Sequence, residues 1–187
     1  ADLDEASTLA VSGSYKNSGQ RCTAVKRMLV HEKVAAAFTE AVVAKTQAWK
    51  FGDPGDPLTE MGTVIDAAAA GLFQQRVDEA IAQGARLLAG HTRDGALYAP
   101  TVIDRVRPEM TVVREETFGP VSPILTFGSI DEAIAIANGT AYGLSSSVCT
   151  NRMSDITRFV NELHMGTVNV REVPGYRLEL TPFGGIK

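Results

Sequence analysis

Apolar and polar residues recur along this chain with the periods of helices and of buried strands. Apolar residues between Leu3 and Gly13 have helical spacing and follow acidic residues, which suit the positive end of a helix. The run 26–31 is predicted to be a strand, and a second helix follows whose apolar face ends at Trp49. The segment 51–58 contains two prolines and two glycines and is predicted to be a loop.

The rest of the chain continues the alternation of helices and strands. Helices are expected at 66–83, ended by Gly84, at 130–138, opened by a capping box of Ser129 and Glu132, and at 153–163. Strands are expected at 86–89, 97–106, 121–127, 144–150 and 167–170, with polar loops at 90–95 and 171–182. This order predicts an α/β fold: an open, mostly parallel twisted sheet with helices on both faces. Since no repeat or long linker occurs, residues 1–187 are expected to form a single domain.

Composition narrows the class of protein. The 187 residues are 44% hydrophobic and 21% charged, which is typical of a globular domain. A net charge of −4 without a basic run argues against nucleic acid as a partner, and no apolar run has membrane-spanning length. Two distant cysteines form neither a metal motif nor a disulfide framework, so we expect no metal and a cytoplasmic location. The absent initial Met and an end inside an apparent motif suggest a fragment.

Cys22 is the first candidate for chemistry. It ends the segment Asn-Ser-Gly-Gln-Arg-Cys (17–22), in which Gly19 can take the left-handed conformation and end a helix. The neighbouring cation of Arg21 favours the thiolate, although a lone cysteine is usually a small buried hydrophobe.

A cysteine hydrolase would need a histidine base, and none of the three histidines lies in a recognisable signature. We interpret His31, His91 and His164 as structural or solvent-facing residues, with His31 ending a strand and His164 ending a helix. A thiolate without a histidine partner suits attack on an aldehyde, where the backbone N–H of Cys22 can donate to the oxyanion.

Five motifs in one order resemble the catalytic domain of the NAD(P)-dependent aldehyde dehydrogenase superfamily, over essentially all 187 residues. They are Gly-Gln-Arg-Cys (19–22), Glu-Glu-Thr-Phe-Gly-Pro (115–120), Asn-Gly-Thr-Ala-Tyr-Gly-Leu (138–144), Gly-Thr-Val-Asn (166–169) and Pro-Phe-Gly-Gly (182–185). The resemblance implies that Cys22 attacks the aldehyde carbon to form a thiohemiacetal. Hydride transfer to the nicotinamide then gives a thioester, and water releases the acid.

The same resemblance implies the cofactor contacts and what lies outside this chain. Glu116 would hydrogen-bond the nicotinamide ribose and Phe118 would pack nearby, although a solvated acidic pair is the alternative for Glu115 and Glu116. The cofactor would be NAD or NADP, with NAD favoured. The family's general base, dinucleotide-binding domain and C-terminal oligomerisation segment have no match here. We therefore expect the chain alone to be inactive and the whole protein to be a homo-dimer or homo-tetramer.

Two stretches bear on the substrate. Residues 19–27 resemble non-phosphorylating glyceraldehyde-3-phosphate dehydrogenases, and residues 169–187 are most similar to phosphonoacetaldehyde dehydrogenases. Arg21 beside the nucleophile, and Arg177 in the loop that lines the family's substrate tunnel, could both grip an anionic tail. A solvent-exposed side chain is the alternative for Arg177.

The resulting hypothesis is oxidation of an anionic aldehyde, phosphonoacetaldehyde before glyceraldehyde-3-phosphate or a semialdehyde acid. An inert binding or structural domain, or ester hydrolysis, are the alternatives from other classes. Arg171 departs from the family pattern, and its contribution to an anion site stays open. Cys149 is interpreted as a structural residue within the strand 144–150.

Overall fold

The computed structural model of the protein describes residues 2–187. Its helices are α1 Leu3–Tyr15, α2 Glu32–Ala48, α3 Ala67–Ala82, α4 Thr111–Arg114, α5 Ile130–Asn138 and α6 Met153–Glu162, and a 3₁₀ turn follows α1 at Lys16–Gly19. Its strands are β1 Met28–His31, β2 Arg86–Ala89, β3 Arg93–Asp94, β4 Leu97–Tyr98, β5 Thr101–Asp104, β6 Val121–Phe127, β7 Ser145–Val148 and β8 Thr167–Val170.

The main sheet has four strands in the order β1-β6-β5-β2. The β1–β6 and β6–β5 pairs are parallel, and β2 is an antiparallel edge strand. Strands β7 and β8 form a separate parallel pair, and β3 and β4 form a short antiparallel hairpin. The predicted α/β class with mostly parallel pairing is confirmed, because parallel strands need helical crossovers such as those supplied here.

Helices cover both faces of this sheet, as predicted. Consecutive residues of β6, Ile124 and Leu125, are both buried but belong to different hydrophobic clusters. The cluster of Leu125 includes residues of α3 and α4, and the cluster of Ile124 includes residues of α1 and α2. Since successive side chains of a strand point to opposite faces, the apolar run of β6 reflects burial on both sides.

Local signals in the sequence account for several element ends. The Asp2 carboxylate accepts hydrogen bonds from the backbone N–H groups of Asp4 and Glu5 and caps α1. The Ser129 hydroxyl accepts from the Glu132 N–H at 3.2 Å, while the Glu132 carboxylate accepts from the Gly128 N–H at 2.8 Å. The predicted start of α5 is thus confirmed, with the glutamate reaching one residue further back than in a standard capping box.

Three strand and loop boundaries differ from the prediction. The strand expected over 97–106 is split into β4 and β5, because Pro100 has no N–H to donate to a ladder. The loop expected over 90–95 contributes β3 to the hairpin. The strand expected to include Cys149 ends at Val148, so Cys149 lies outside it.

The parallel pairing of β1 and β6 brings together the turns that precede these two strands. We call residues 17–23 the nucleophile turn and residues 115–120 the cofactor turn, after the roles predicted for Cys22 and Glu116. Gly19 has φ +68°, and a Cβ there would overlap the carbonyl group of Gly119. A Cβ on Gly119 would in turn overlap the ring of Phe73, from α3. The two turns therefore meet backbone to backbone, above a buried aromatic ring.

The contact of Gly119 with Phe73 predicts a strong dependence of stability on this glycine. Gly119→Ala should lower the free energy of unfolding by about 1–3 kcal/mol through overpacking. Gly71→Ala is the matched control, because Gly71 lies within α3 and its added Cβ would meet no atom within 4 Å. That variant should be about 0.5–1 kcal/mol more stable, since alanine is favoured in helices. Denaturant titration of both variants checks this, and equal stabilities would contradict the packing described.

Candidate active site

The nucleophile turn is held in an unusual backbone conformation by side-chain hydrogen bonds. Asn17, Ser18 and Gly19 all have positive φ, of 55°, 54° and 68°. The buried Ser18 hydroxyl lies 3.1 and 3.2 Å from the carbonyl oxygens of Gly62 and Thr63, to which it donates. The Gln20 carboxamide oxygen accepts from the Ile65 N–H at 2.8 Å. These contacts compensate the strain of left-handed residues and fix the turn that ends in Cys22.

Cys22 is exposed and opens into a cleft of about 240 Å³. The cleft is lined by Cys22 and Thr23 of the nucleophile turn, Ser145 at the start of β7, Thr167 at the start of β8, and Pro174, Gly175, Tyr176, Arg177, Pro182 and Phe183 of the segment after β8. The structure thus brings the predicted nucleophile together with the loop predicted to line a substrate tunnel. Hydroxyl groups, one cation and aromatic rings surround the thiol.

Arg177 and Arg21 occupy different positions relative to this cleft. The Arg177 guanidinium lies over the ring of Phe183, 4.8 Å from its centroid, and lines the cleft. The Arg21 guanidinium turns back toward α1, where its Nη2 donates to the Gly13 carbonyl at 3.0 Å. A Cβ on Gly175 would be 3.5 Å from Arg21 Nη1, so the Arg21 side chain lies under the cleft-lining loop.

The buried Nε of Arg21 has no hydrogen-bond partner within residues 2–187. A buried donor without a partner is costly, and an anion or water beside it would lower that cost. Arg21 therefore supports the nucleophile turn from behind while retaining a free donor.

The cofactor turn presents the side chains of Glu116 and Phe118 outward from a fixed backbone. The Arg76 guanidinium donates to the Glu116 carbonyl at 2.6 Å and to the Thr117 hydroxyl at 3.0 Å. The Tyr142 hydroxyl accepts from the Glu116 N–H at 3.3 Å. Tyr142 comes from the motif Asn-Gly-Thr-Ala-Tyr-Gly-Leu, so two of the five motifs meet here.

These two side chains fit a nucleotide cofactor. Glu116 is exposed, and its carboxylate makes no ion pair in the described part of the chain, which leaves its oxygens able to accept from ribose hydroxyls. The Phe118 ring is 41% exposed, although large aromatic side chains of monomers are usually more buried. Glu116 and Phe118 are therefore the residues of this chain that could hold NAD or NADP.

Lys26 was not singled out by the sequence, where it begins a predicted strand. Its Nζ donates to the Gly19 carbonyl at 2.7 Å and lies 4.6 Å from the centroid of the Phe118 ring. Burial lowers the pKa of Lys26 to about 8, against the opposing effect of the Glu116 carboxylate. The only available signal was a lysine between the nucleophile and an apolar strand, a pattern that is also typical of a solvated strand end.

The three histidines contribute nothing to the lining of the cleft. The Nδ1 of His31 accepts from the Lys33 N–H at 3.2 Å and caps α2. The ring of His91 bridges the Tyr98 hydroxyl and the Asp78 carboxylate, at 2.8 and 2.9 Å. His164 is exposed after α6. These positions agree with the interpretation of the histidines as structural or solvent-facing residues.

Two further residues of the sequence analysis lie away from the cleft lining. Arg171 has φ +53° and pairs with Glu5 of α1, with an Nη2–Oε2 distance of 2.5 Å. This pair ties the segment after β8 to α1. The prediction that Cys149 is enclosed in a strand is wrong, because the residue follows β7 and is exposed. Desolvation of its thiol and the nearby Glu5 carboxylate still raise the pKa of Cys149.

No group of three or more histidine, cysteine or acidic residues within 2–187 is arranged to hold a metal ion. Within the same residues, no helix combines the length and apolarity that crossing a membrane requires.

The fold and the site define an α/β domain that presents a cysteine thiol in a cleft, beside a turn suited to a nucleotide. Over residues 1–187 the chain matches the aldehyde dehydrogenase family, and it belongs to that family. The expected resemblance to this superfamily is thereby confirmed.

Relatives within the family share about two fifths of their length with this chain. The chain is 38% identical to the sulfoacetaldehyde dehydrogenase of Neptuniibacter caesariensis over 186 residues, covering 100% of this chain and 41% of that protein. It is 39% identical to the NADP-dependent succinate-semialdehyde dehydrogenase of Mycolicibacterium paratuberculosis over 190 residues, covering 100% of this chain and 40% of that protein.

The structure also superimposes on solved members of the family. One is the crystal structure of a glyceraldehyde-3-phosphate dehydrogenase from Methanocaldococcus jannaschii complexed with NADP. The TM-score is 0.96 at 36% identity, over 100% of this chain and 41% of that chain. The α/β fold of the chain is therefore that of the corresponding part of an aldehyde dehydrogenase.

The different surroundings of the two cysteines predict selective modification. With iodoacetamide at pH 7, Cys22 should react faster than Cys149, because the raised pKa of Cys149 leaves less of its thiolate at this pH. Mass spectrometry of digested peptides measures both rates. Cys149→Ser serves as the control and should leave the rate at Cys22 unchanged. Equal rates would support the alternative of an inert domain.

Proposed function

We propose that this chain is the nucleophile-bearing part of an NAD(P)-dependent aldehyde dehydrogenase that acts on aldehydes with an anionic tail. The observation that carries the proposal is the position of Cys22, whose thiol opens into a cleft lined by Arg177 and hydroxyl groups. Overall, one aldehyde, one NAD(P)⁺ and one water give one carboxylic acid, one NAD(P)H and one proton.

In the proposed reaction, Cys22, Glu116 and Phe118 have separate roles. The Cys22 thiolate forms a bond to the aldehyde carbon, and the carbonyl oxygen receives the negative charge of the thiohemiacetal. The N–H of Cys22 makes no backbone hydrogen bond within residues 2–187 and is free to donate to this oxygen. Glu116 would accept a hydrogen bond from the ribose of the cofactor, and Phe118 would pack beside that ribose. When bound, the nicotinamide supplies the acceptor for the hydride.

The last step frees Cys22 from its acyl group. Water adds to the thioester carbon, the carbon–sulfur bond breaks and the thiolate is restored. This water needs a general base, and none of the three histidines lines the cleft. We therefore assign the base, with the dinucleotide-binding domain, to the part of the whole protein outside residues 1–187. The chain spans only about two fifths of its relatives, so the activity belongs to the whole protein.

The substrate class is supported by the cations and by the relatives. Relatives named for sulfoacetaldehyde, succinate semialdehyde and glyceraldehyde-3-phosphate have in common an aldehyde with an anionic group. Arg177 supplies a cation at the cleft, and the unpartnered Nε of Arg21 lies under the loop beside it. Phosphonoacetaldehyde remains our specific prediction, and sulfoacetaldehyde is its nearest competitor because a sulfonate has similar shape and charge.

Cofactor choice and assembly complete the proposal. Solved relatives carry NADP or NAD, and we propose NAD as the preferred cofactor of the whole protein. Comparison of kcat/KM with NAD and with NADP tests this choice. We also propose a cytoplasmic homo-dimer or homo-tetramer, and light scattering of the whole protein measures its assembly.

Arg177→Ala should reduce kcat/KM for anionic aldehydes by about tenfold to a hundredfold, as expected for loss of a charged contact. The kcat/KM for propanal, which has no anionic tail, should stay unchanged. The substrate panel includes phosphonoacetaldehyde, sulfoacetaldehyde, succinate semialdehyde and glyceraldehyde-3-phosphate. Arg152→Ala is the matched control, because the exposed Arg152 lies near α6 and away from the cleft. Equal losses on propanal and on the anionic aldehydes would contradict a role for Arg177 in anion binding.

Two variants of Arg21 distinguish a contact of its free donor with the substrate from its support of the nucleophile turn. If the free Nε contacts the substrate anion, Arg21→Lys should lose about tenfold in kcat/KM on anionic aldehydes only, because lysine has no donor at the position of Nε. Arg21→Ala should affect all aldehydes, since it also removes the hydrogen bond to Gly13. Identical losses on propanal in both variants would limit Arg21 to holding the nucleophile turn.

A further inference from the structure

Lys26 is the one side chain seen to join the nucleophile turn to the ring of Phe118 within residues 2–187. Its ammonium donates to the Gly19 carbonyl at 2.7 Å, and it lies 4.6 Å from the Phe118 centroid. Gly19 precedes Cys22 by three residues, and Phe118 follows Glu116 by two. A single charged group thus connects the turn that carries the nucleophile with the turn that carries the cofactor contacts.

The backbone around Lys26 leaves little freedom for either turn to shift. Gly19 and Gly119 approach so closely that a Cβ on Gly19 would overlap the Gly119 carbonyl group. Phe73 supports Gly119 from below. The ammonium of Lys26 therefore spans a close-packed joint, in which a cation–π contact and a charged hydrogen bond act on neighbouring parts of the two turns.

The charged and titratable groups around Lys26 are Arg21, Cys22 and Glu116. The pKa of Lys26 is lowered to about 8, mainly by burial and to a smaller extent by the Arg21 cation, against the opposing effects of Glu116 and Cys22. The two groups that stabilise the ammonium are the predicted nucleophile and the predicted ribose ligand.

We propose that Lys26 is a positioning residue, which aligns the Cys22 thiol with the cofactor by holding the Phe118 ring against the nucleophile turn. This inference rests on the proposed function, since it takes Glu116 and Phe118 as cofactor contacts. The ammonium lies over the Phe118 ring, and the exposed part of that ring remains available to the cofactor. Lys26 touches neither the reacting carbon nor the hydride, so its effect passes through the two turns.

The test compares Lys26→Met, Lys26→Arg and Lys26→Gln in the whole protein, with Lys45→Met as the control. Lys45 pairs with Asp4 on the surface of α1 and α2, away from the cleft. Methionine keeps most of the volume of lysine but supplies neither charge nor donor, whereas arginine keeps both. The readouts are kcat and KM for aldehyde, the Kd of NADH or NADPH by fluorescence, the rate of Cys22 alkylation, and the melting temperature.

Lys26→Met and Lys26→Gln should lower kcat and raise the Kd of the reduced cofactor, each by about tenfold or more, with little change in KM for aldehyde. Lys26→Arg should retain most of the wild-type kcat and most of the wild-type affinity for the reduced cofactor. In the wild type, kcat should fall as pH rises through about 8, because the ammonium is lost there. The Lys26→Arg variant should keep its rate to higher pH, since a guanidinium does not titrate in this range.

Three results would overturn the proposal. The first is kcat and Kd values in Lys26→Met equal to those of Lys45→Met. The second is equal loss in Lys26→Arg and Lys26→Met that follows a lower melting temperature, which would make Lys26 a support of folding alone. The third is a fall in kcat at alkaline pH that is the same in Lys26→Arg as in the wild type.

A wild type that oxidises no aldehyde would instead refute the proposed function. The remaining readouts then decide the role of Lys26. If the alkylation rate at Cys22 changes in Lys26→Met and recovers in Lys26→Arg, Lys26 couples the nucleophile turn to the Phe118 ring. An unchanged rate refutes this coupling.

Discussion

The site depends on the close approach of two backbones, at Gly19 and Gly119. Parallel pairing of β1 with β6 brings the preceding turns to the same edge of the sheet, and the lack of a side chain at each glycine lets them touch. Because Phe73 fills the space beneath Gly119, the contact cannot relax toward the core. The geometry between Cys22 and the cofactor turn is therefore set by packing of the main chain.

Around this contact the chain concentrates positive charge, although its net charge is −4. Arg177 lies at the cleft, Arg21 beneath the loop that lines it, and Lys26 at the joint between the two turns. Each guanidinium or ammonium has a different partner, respectively an aromatic ring, a carbonyl of α1 and a carbonyl of the nucleophile turn. Local charge governs the potential inside a cleft, so these cations are the feature on which the proposed preference for anionic aldehydes rests.

Sequence alone was sufficient for features that depend on local patterns. The buried run of β6, the Ser129 cap and the end of α3 shortly before Gly84 follow from burial, capping and backbone freedom within a few residues. The ordered motifs also identified Cys22 as the candidate nucleophile. Its meeting with Arg177 in one cleft needed the structure, because these residues are 155 positions apart.

Features that depend on distant partners could not be predicted. The positive φ of Ser18 is compensated by carbonyls more than forty residues away, and no local signal indicates such partners. Arg21 donates to the Gly13 carbonyl, and the sequence alone does not identify this carbonyl as its partner. Lys26 is indistinguishable in sequence from a solvated strand end, and only the approach of the two turns reveals its contacts with Gly19 and Phe118.

The most direct test of the central claim is detection of the acylated enzyme by mass spectrometry. The whole protein is mixed with NAD⁺ and an anionic aldehyde, quenched in acid and digested. The account predicts a peptide containing Cys22 that is heavier by the mass of the aldehyde less two hydrogens, and no such peptide in Cys22→Ser. Aldehyde oxidation that persists in Cys22→Ser, or an acyl group found on another residue, would contradict the assignment of Cys22 as the nucleophile.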